Sequence, residues 1–296
     1  MDEMSDELRS VVGERRRLLA LAYRMLGTMT EAEDAVQETY IRWYRLADDE
    51  RAAVANVPAW LTRAASNICL DVLKSARLRR EQYVGPWLPE PLPAGGPALD
   101  PADRITLDES VSTALLVVLD AMTPAERVAF VLHDVFEVSF PEVAEVVGRS
   151  PAAVRQLATS ARRRVAAARE NVAPTAEHSA VVRAFAAACQ TGDLAGLMGV
   201  LAPSVELRSD GGGIVKAARN PIFGASNVAR FLLGVLEKQA SWRLGLTETG
   251  DGLAVAFLDG EAVQGVVNLR VEGARARDVW IVLNPQKLTR WGSHEG

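Results

Sequence analysis

The sequence is poor in the residues that build disulfide frameworks and metal sites, with two cysteines and three histidines in 296 residues. Cys69 and Cys189 lie far apart among apolar residues of helical pattern, which predicts buried thiols rather than a disulfide or a ligand pair. His133, His178 and His294 occur singly, without a cysteine or carboxylate at ligand spacing. We therefore expect no metal and no other cofactor.

Long apolar segments are also missing. No run of about 18 uncharged apolar residues is present to span a bilayer, and the charged start MDEMSDELRSVVGERRR lacks the apolar stretch of a signal peptide. These absences predict a cytoplasmic protein with no membrane partner. The 49% hydrophobic content is ample for the cores of two or three domains.

Charge is unevenly distributed along the chain. The net charge of −5 argues against a protein that coats nucleic acid over its whole surface. Six arginines nevertheless occur between Arg149 and Arg169 without one acid, and five basic residues lie between Trp60 and Arg80 against Asp71 alone. Acids instead gather between Glu31 and Glu38. Such segregation predicts separate surfaces for partners of opposite charge.

The composition divides the chain into four parts. Residues 1–82 and 104–172 have helical periodicity, and residues 83–103 hold six prolines and three glycines, as a linker does. Residues 173–296 begin with helices and continue with β-rich runs, which predicts an α+β domain with helices on a curved antiparallel sheet. The linker's aromatic start, YVGPWLPEP, needs a surface to dock on, because Tyr83, Trp87 and Leu88 would otherwise be exposed to water.

Helix signals are clear in both helical parts. We expect capping boxes at Thr30/Glu33, Thr123/Glu126 and Ser139/Glu142. Two helices separated by Gly148-Arg149-Ser150 form the pattern of a helix-turn-helix. Along its second helix a stripe of Val154, Leu157, Ala161 and Val165 is expected to be buried, leaving Arg155, Gln156, Thr159, Arg162 and Arg163 outward.

That outward face suits the major groove of DNA, where Arg and Gln pair with base edges and flanking arginines hold phosphates. A merely solvated basic face is the alternative. In the first helical part, the helix opened by Pro58 is expected to bury Leu61, Ala65, Ile68 and Val72. Trp60 and Asn67 there would suit unstacked bases, although a tryptophan is more often a core residue.

Three segments together resemble the extracytoplasmic-function sigma factors of bacterial RNA polymerase: EAEDAVQETYIRWYR, VPAWLTRAASNICLDVLKSARLRR and MTPAERVAFVLHDVFEVSFPEVAEVVGRSPAAVRQLATSARRRV. The resemblance implies two all-α domains, sigma regions 2 and 4, and binding to core polymerase at the β′ clamp helices and the β flap. Its clamp-docking residues would be Asp34, Gln37 and Glu38. The −10 promoter element would be bound by Trp60, Arg63, Asn67, Lys74, Arg77, Arg79 and Arg80. The −35 element would be read by Arg149, Arg155, Gln156, Thr159, Arg162 and Arg163.

Beyond residue 172 the chain resembles the subgroup with a fused SnoaL-like domain of the NTF2-like fold, on the motifs WLPEP, DGGG and NPQKL. The resemblance implies that this domain controls the sigma regions. We expect linker and tail to meet through Trp87, Leu88, Pro89, Glu90, Pro91, Asp210, Gly211, Gly212, Gly213, Asn284, Pro285, Lys287 and Leu288. Two departures bear on this: Ile214 follows the glycines where a basic residue is usual, with Lys216 two further on, and Gln286 replaces an Asp.

Two other classes of function remain open. NTF2-like enzymes place an Asp or His in the cone as acid or base. Here His178 and His294 lie outside the strands, and Asp210, Asp259 and Asp278 lie at turns or strand starts, so we assign no catalytic residue and expect no enzyme. A pocket for a small-molecule ligand remains possible, as does a helix-turn-helix repressor, which would not need the acidic helix.

Overall fold

The computed structural model describes residues 13–80, 83–94, 112–169 and 173–292; of the side chains at 76–80 and 169 nothing is said. The described residues fall into two compact units. The helical unit holds residues 13–80 and Leu115–Ala168. The sheet unit holds 83–94, 112–114 and 173–292. The four-part division drawn from composition remains a prediction.

The helical unit begins with α1 (Arg15–Leu26), α2 (Met29–Arg45), α3 (Asp48–Ala52) and α4 (Val57–Arg80). Gly27, at φ +81°, ends α1 in the left-handed conformation. The expected cap at Thr30/Glu33 is wrong, because Gly27 turns the chain so abruptly that Thr28 already lies at the N-cap and accepts from the Glu31 N–H. Leu61, Ala65 and Ile68 are buried as predicted, whereas Val72 is half-buried and Leu73 packs in its place.

The unit continues with α5 (Thr113–Asp120), α6 (Pro124–Phe130) with a π-helical turn at Val131–Val135, α7 (Phe140–Val147) and α8 (Pro151–Arg169). The capping boxes at Thr123/Glu126 and Ser139/Glu142 are confirmed. Gly148, at φ +69°, turns the chain from α7 into α8. Along α8 the predicted stripe is right except at Leu157, which is half-buried while Ala158 is fully buried. The outward prediction holds for Arg155, Gln156, Thr159, Arg162 and Arg163.

The sheet unit comprises α9 (Thr175–Thr191), α10 (Leu194–Val200), β1 (Leu201–Asp210), β2 (Ile222–Phe223), α11 (Ala225–Lys238), β3 (Arg243–Thr249), β4 (Gly252–Asp259), β5 (Ala262–Glu272) and β6 (Arg275–Val282). A 3₁₀ turn follows at Pro285–Lys287. The six strands are ordered β2-β1-β6-β5-β4-β3. The expectation of an antiparallel sheet is wrong at one pair: β1 and β6 run parallel, because the chain leaves β1 and comes back beside it through β2, α11 and the three hairpin connections of β3 to β6.

The core of the sheet unit lies between the helices and one face of the sheet, where Phe185 and Leu232 pack on Leu207, Val279 and Ile281. Alternation along β1 turns Ser209 to the same side as Leu207 and places Asp210 on the opposite face. Both strand ends, β1 at Asp210 and β6 at Val282, lie side by side in register. The segments that follow these two strands are thereby brought together.

Both cysteines are buried, as predicted, and burial raises the pKa of each thiol to about 12. Among the described residues, no helix has the length and apolar character needed to cross a membrane.

Candidate functional site

The exposed face of α8 carries the basic residues predicted to read DNA. Arg149, Arg155, Gln156, Thr159, Arg162 and Arg163 are all exposed. The Arg155 guanidinium lies 5.2 Å from the centre of the Phe140 ring, a cation–π contact between the two helices of the helix-turn-helix. Arg162 Nε lies 2.5 Å from Asp134 Oδ1. Two of the arginines are therefore held in place by residues of the same unit.

The second predicted DNA face lies on α4. Trp60 is half-buried and meets the buried Trp43 edge to face, with ring centres 5.1 Å apart. The alternative that Trp60 is a core residue is therefore partly right. Asn67 is half-buried, and exposed Lys74 lies 3.5 Å from Asp71. Arg77, Arg79 and Arg80 belong to α4, but their side chains lie outside the described residues.

The two faces predicted to bind DNA lie close together within the helical unit. Arg63 Nη1 on α4 pairs with Glu145 Oε2 on α7 at 2.5 Å. A cavity of about 490 Å³ beside this pair is lined by Trp60, Arg63, Phe136 and Glu145. A second cavity, about 780 Å³, is lined by Lys74 of α4 and by Arg149 and Gln156 of the helix-turn-helix.

Arg127 is a residue that sequence reasoning missed. Its buried guanidinium donates to the Leu119 carbonyl at 2.7 Å, to the Met25 carbonyl at 2.6 Å and to Asp120 Oδ1 at 2.9 Å. Burial lowers its pKa to about 10, so the side chain stays charged at neutral pH. It joins α6 to the C-terminal end of α1. An arginine between the buried positions of a short apolar helix was the signal.

The acidic face of α2 is open to solvent. Asp34 and Gln37 are exposed, and half-buried Glu38 accepts from Arg42 Nε at 2.9 Å. Ile41 and Tyr44 continue this face at helical spacing and are 37% and 48% exposed. Sequence reasoning missed these two, although their spacing of seven from Asp34 and Gln37 was visible.

Asp210 is the centre of the contacts between linker and tail. Its side chain is fully buried and its carboxylate accepts four hydrogen bonds: from Tyr83 Oη at 2.5 Å, the Leu88 N–H at 2.9 Å, the Gly212 N–H at 2.9 Å and Lys287 Nζ at 2.7 Å. Two donors come from the linker, one from the glycine turn and one from the tail. The structure therefore brings all three predicted motifs to one carboxylate.

Lys287 supplies the opposite charge. Its buried ammonium also donates to the Leu88 carbonyl at 2.5 Å and lies 4.0 Å from the centre of the Trp87 ring and 5.6 Å from that of Tyr83. The ion pair and both aromatic faces satisfy a charge that would be strongly unfavourable alone in this position. We call Tyr83, Trp87, Leu88, Asp210, Asn284 and Lys287 the linker lock.

Asn284 connects the tail to the linker. Its Nδ2 donates to Tyr83 Oη at 3.1 Å, while its Oδ1 accepts from the Gln286 N–H at 3.0 Å and Pro285 starts the 3₁₀ turn. Gly212, at φ +65°, packs so closely on this amide that a Cβ would overlap it. A glycine is required there both for its conformation and for the close approach. Gly211 and Gly213 complete the turn.

Further contacts extend the lock along the linker. Leu88 is completely buried, and Leu288 is buried in the tail. Trp291 Nε1 donates to the Pro91 carbonyl at 2.8 Å, and buried Glu90 lies 3.5 Å from Arg290 Nε, with Pro89 between these anchors. Trp291 and Arg290 were missed, because no motif includes them.

The two departures from the subgroup's motifs lie outside the lock. Ile214 is 58% exposed, and Lys216 is exposed as well. The Gln286 side chain is also exposed, and only its backbone N–H takes part, through Asn284. The charge that meets Asp210 comes from Lys287 instead.

Known proteins resemble this chain in sequence over nearly its whole length. The description "Sigma-70 region 2" matches residues 11–79, and "Sigma-70, region 4" matches residues 112–165. The ECF RNA polymerase sigma factor SigJ of Mycobacterium tuberculosis is 38% identical over 93% of this chain and 91% of its own length. A probable ECF RNA polymerase sigma factor, SigI, from the same species is 36% identical over 93% and 92%. This chain belongs to the extracytoplasmic-function sigma factors.

A solved structure extends the likeness across both units. The crystal structure of Mycobacterium tuberculosis SigJ superposes with a TM-score of 0.74 at 34% identity, covering 97% of this chain and 98% of that one. The predicted fold class is confirmed at this level: helical sigma regions 2 and 4 are followed by a C-terminal α+β domain.

Two of the three carboxylates considered for catalysis have other partners in this sigma factor. Asp210 belongs to the linker lock, Asp278 pairs with Arg270 Nε at 2.6 Å, and Asp259 is exposed. His178 Nε2 lies 3.1 Å from the Leu269 carbonyl. His294 lies outside the described residues. Within the described part of the sheet unit, the cavity beneath α11 is lined by none of them.

Proposed function

We propose that this sigma factor binds core RNA polymerase, directs initiation at promoters with −10 and −35 elements, and is restrained by its own C-terminal domain through the linker lock. The buried Lys287–Asp210 pair, which closes over the Leu88 peptide, is the observation that supports this control. Two sigma regions in the family's order support the initiation role.

Polymerase docking is assigned to the exposed face of α2. Asp34, Gln37 and Glu38 carry the charge, and Ile41 and Tyr44 add apolar area beside it. A mixed patch of this kind fits a basic partner helix with an apolar seam, as expected of the β′ clamp helices. Region 4 is assigned to the β flap on family resemblance alone.

Promoter reading is assigned to the two basic faces. On α8, Arg155 and Gln156 have the groups that pair with base edges. Thr159, Arg162 and Arg163 on α8, and Arg149 in the turn before it, are assigned to phosphates. On α4, Trp60 and Asn67 are assigned to unstacked −10 bases, with Arg63, Lys74, Arg77, Arg79 and Arg80 on the backbone.

The linker connects regions 2 and 4, and its docking on the sheet unit is the proposed source of the restraint on them. Residues 83–94 lie on the sheet unit, where Ala94 N donates to the Glu248 carbonyl at 2.9 Å and Pro93 pairs with Thr249. Twelve residues can span up to about 40 Å when extended, so their release from the sheet unit frees a segment of that reach between regions 2 and 4. A docked linker limits how far the two DNA faces can separate to reach two promoter elements. The Arg63–Glu145 pair is an additional, solvent-exposed contact between α4 and α7.

Association with purified core polymerase tests the proposal. We expect the full chain to bind core enzyme without DNA and to initiate at its promoter, as a repressor with the same helix-turn-helix would not. A chain that binds promoter DNA but never core enzyme would favour the repressor. Truncation after Leu283, which removes the tail of the lock, should raise promoter-specific output with core binding retained; unchanged output would remove the control by the lock.

A further inference from the structure

A small cavity lies in the sheet unit between α11 and the helix-facing side of the sheet. Its volume is about 110 Å³. Its walls are mainly apolar and aromatic, from Phe231 and Val235 on α11 and from Trp242, Phe257 and Leu283. Trp242 and Phe257 stack with ring centres 5.4 Å apart and an interplanar angle of 22°. The cavity therefore presents aromatic surface to any molecule that enters it.

Three polar side chains complete the lining. Ser209 is buried, and its Oγ accepts from the Ala218 N–H at 2.8 Å, which leaves the hydroxyl proton to donate to a ligand. Lys216 and Gln239 are exposed and mark the side that opens to solvent. The lining holds one cation and no acid. These groups suit a ligand with an oxygen acceptor or a negative charge next to an apolar ring.

The size of the cavity sets the size of the ligand. Protein interiors contain few voids larger than a water molecule. An engineered cavity of about 150 Å³ with apolar walls stays dry and binds benzene. A cavity of about 110 Å³ that opens beside a lysine is therefore suited to one six-membered ring whose charged substituent reaches the rim.

We propose that this cavity binds a small aromatic carboxylate, with the ring between Trp242 and α11 and the carboxylate towards Lys216 and the Ser209 hydroxyl. Nothing in the sigma regions' work requires such a void. Neither does the linker lock, whose central carboxylate, Asp210, lies on the other face of the sheet.

The cavity wall is continuous with the lock. Ser209 directly precedes Asp210, and Leu283 directly precedes Asn284. The Leu283 N–H donates to the Asp210 carbonyl at 2.7 Å, so the two wall residues belong to strand ends that are already bonded to each other. A bound ring packs on both and reduces the freedom of both strand ends. Resting on the proposed function of the lock, the inference is that occupancy stabilises the docked linker.

Binding is tested with benzoate on the full-length chain, by calorimetry and by chemical shifts of the tryptophan indoles. We expect saturable binding at one site. Lys216→Gln, an exposed change, should weaken it at least fivefold, and Val235→Phe, which fills the cavity from a half-buried position, should abolish it. Benzamide, which keeps the ring without the charge, should bind more weakly than benzoate. No saturable binding of benzoate, or equal binding to Val235→Phe, overturns the site.

Coupling to the lock is tested separately by hydrogen exchange. With benzoate bound, exchange of the Leu88 N–H should slow at least fivefold, a factor at the low end of ordinary couplings between sites. Reciprocity requires that Tyr83→Phe, which loosens the linker, weakens benzoate binding by a similar factor. Benzoate that binds without changing Leu88 exchange overturns the coupling and leaves the lock's role in transcription intact. If the lock fails to affect transcription while benzoate still slows Leu88 exchange, only the proposed function falls.

Discussion

Lys287 Nζ and Asp210 Oδ2 lie 2.7 Å apart in a buried ion pair, although 77 residues separate them in the chain. The backbone of Leu88 bonds to both partners: its N–H donates to the carboxylate, and its carbonyl oxygen accepts from the ammonium. One linker residue is thus hydrogen-bonded to both charged groups. Separating the pair would leave a buried charge without its partner, which is strongly unfavourable. We therefore expect the linker to be either fully docked or released.

Lys287→Met should break this arrangement and leave the Asp210 carboxylate buried without its cation. Removing one partner of a buried pair costs about 3–5 kcal/mol of unfolding free energy. Chemical denaturation of the full chain, followed by tryptophan fluorescence, measures the loss. Lys238→Met, at an exposed lysine on the same unit, is the matched control and should change stability by less than about 0.5 kcal/mol. Equal effects of the two substitutions would contradict the lock.

Neutralising the acidic face of α2 should remove polymerase binding and leave the fold intact. Asp34→Asn with Glu38→Gln takes two charges from an exposed or half-exposed surface, so circular dichroism and melting temperature should be unchanged. Affinity for core enzyme, measured by fluorescence anisotropy, should fall at least tenfold and lose much of its salt dependence. Asp49→Asn with Glu261→Gln removes two other exposed acids and should bind like the parent. Loss of binding in both double variants would point to net charge rather than to this face.

Substitutions on α8 should distinguish residues that contact bases from residues that contact phosphates. Arg155→Ala should cost about 1–3 kcal/mol with the cognate −35 element and little with a scrambled one, because a base contact carries the sequence preference. Arg163→Ala should weaken both DNAs alike and reduce the salt slope by about one. Arg183→Ala, at an exposed arginine of α9, is the control for charge. An equal loss on both DNAs for Arg155→Ala would assign it to the backbone.

Glu126 gives the helical unit an acid-side dependence on pH. Burial acts to raise the pKa of its carboxyl, but hydrogen bonds from Thr123 and Ser160 and the charge of Arg164 outweigh it, so the pKa lies below 4.5. Stability from a depressed carboxyl pKa is present above the unfolded value and lost as pH falls through the folded one. As pH falls below the ordinary glutamate pKa, the free energy of unfolding of the parent should therefore decrease. Glu126→Gln has no carboxyl to protonate there, so its free energy of unfolding should change less over the same range. Parallel pH profiles of the two would contradict this role.

Much of the helical unit was predictable because its signals are local. The capping boxes at Thr123 and Ser139 and the left-handed Gly148 depend on residues three or four apart, so the helix-turn-helix could be placed from sequence. The cap at Thr28 was misplaced because two overlapping Thr-x-x-Glu spacings exist there. Only the position of Gly27 decides between them.

Contacts between segments far apart in the chain were harder to predict from the sequence. The linker and the NPQKL tail were expected to meet, but Asp210 as the acceptor of four donors required the parallel pairing of β1 with β6, which the strand patterns did not indicate. Trp291 was missed for a similar reason, because its contact with the Pro91 carbonyl arises from tertiary packing that no short motif encodes. Arg127 and Ile41 did leave local signals, in the burial pattern of α6 and the helical spacing of α2, but neither signal identifies its partner.

Promoter-specific transcription with purified core enzyme tests the central claim most directly, comparing the parent chain with Lys287→Met and Lys238→Met at concentrations that saturate core binding. The account predicts at least fivefold higher output from Lys287→Met and parental output from Lys238→Met, with equal amounts of each bound to core enzyme. Equal output from all three chains, or lower output from Lys287→Met with core binding intact, would contradict it.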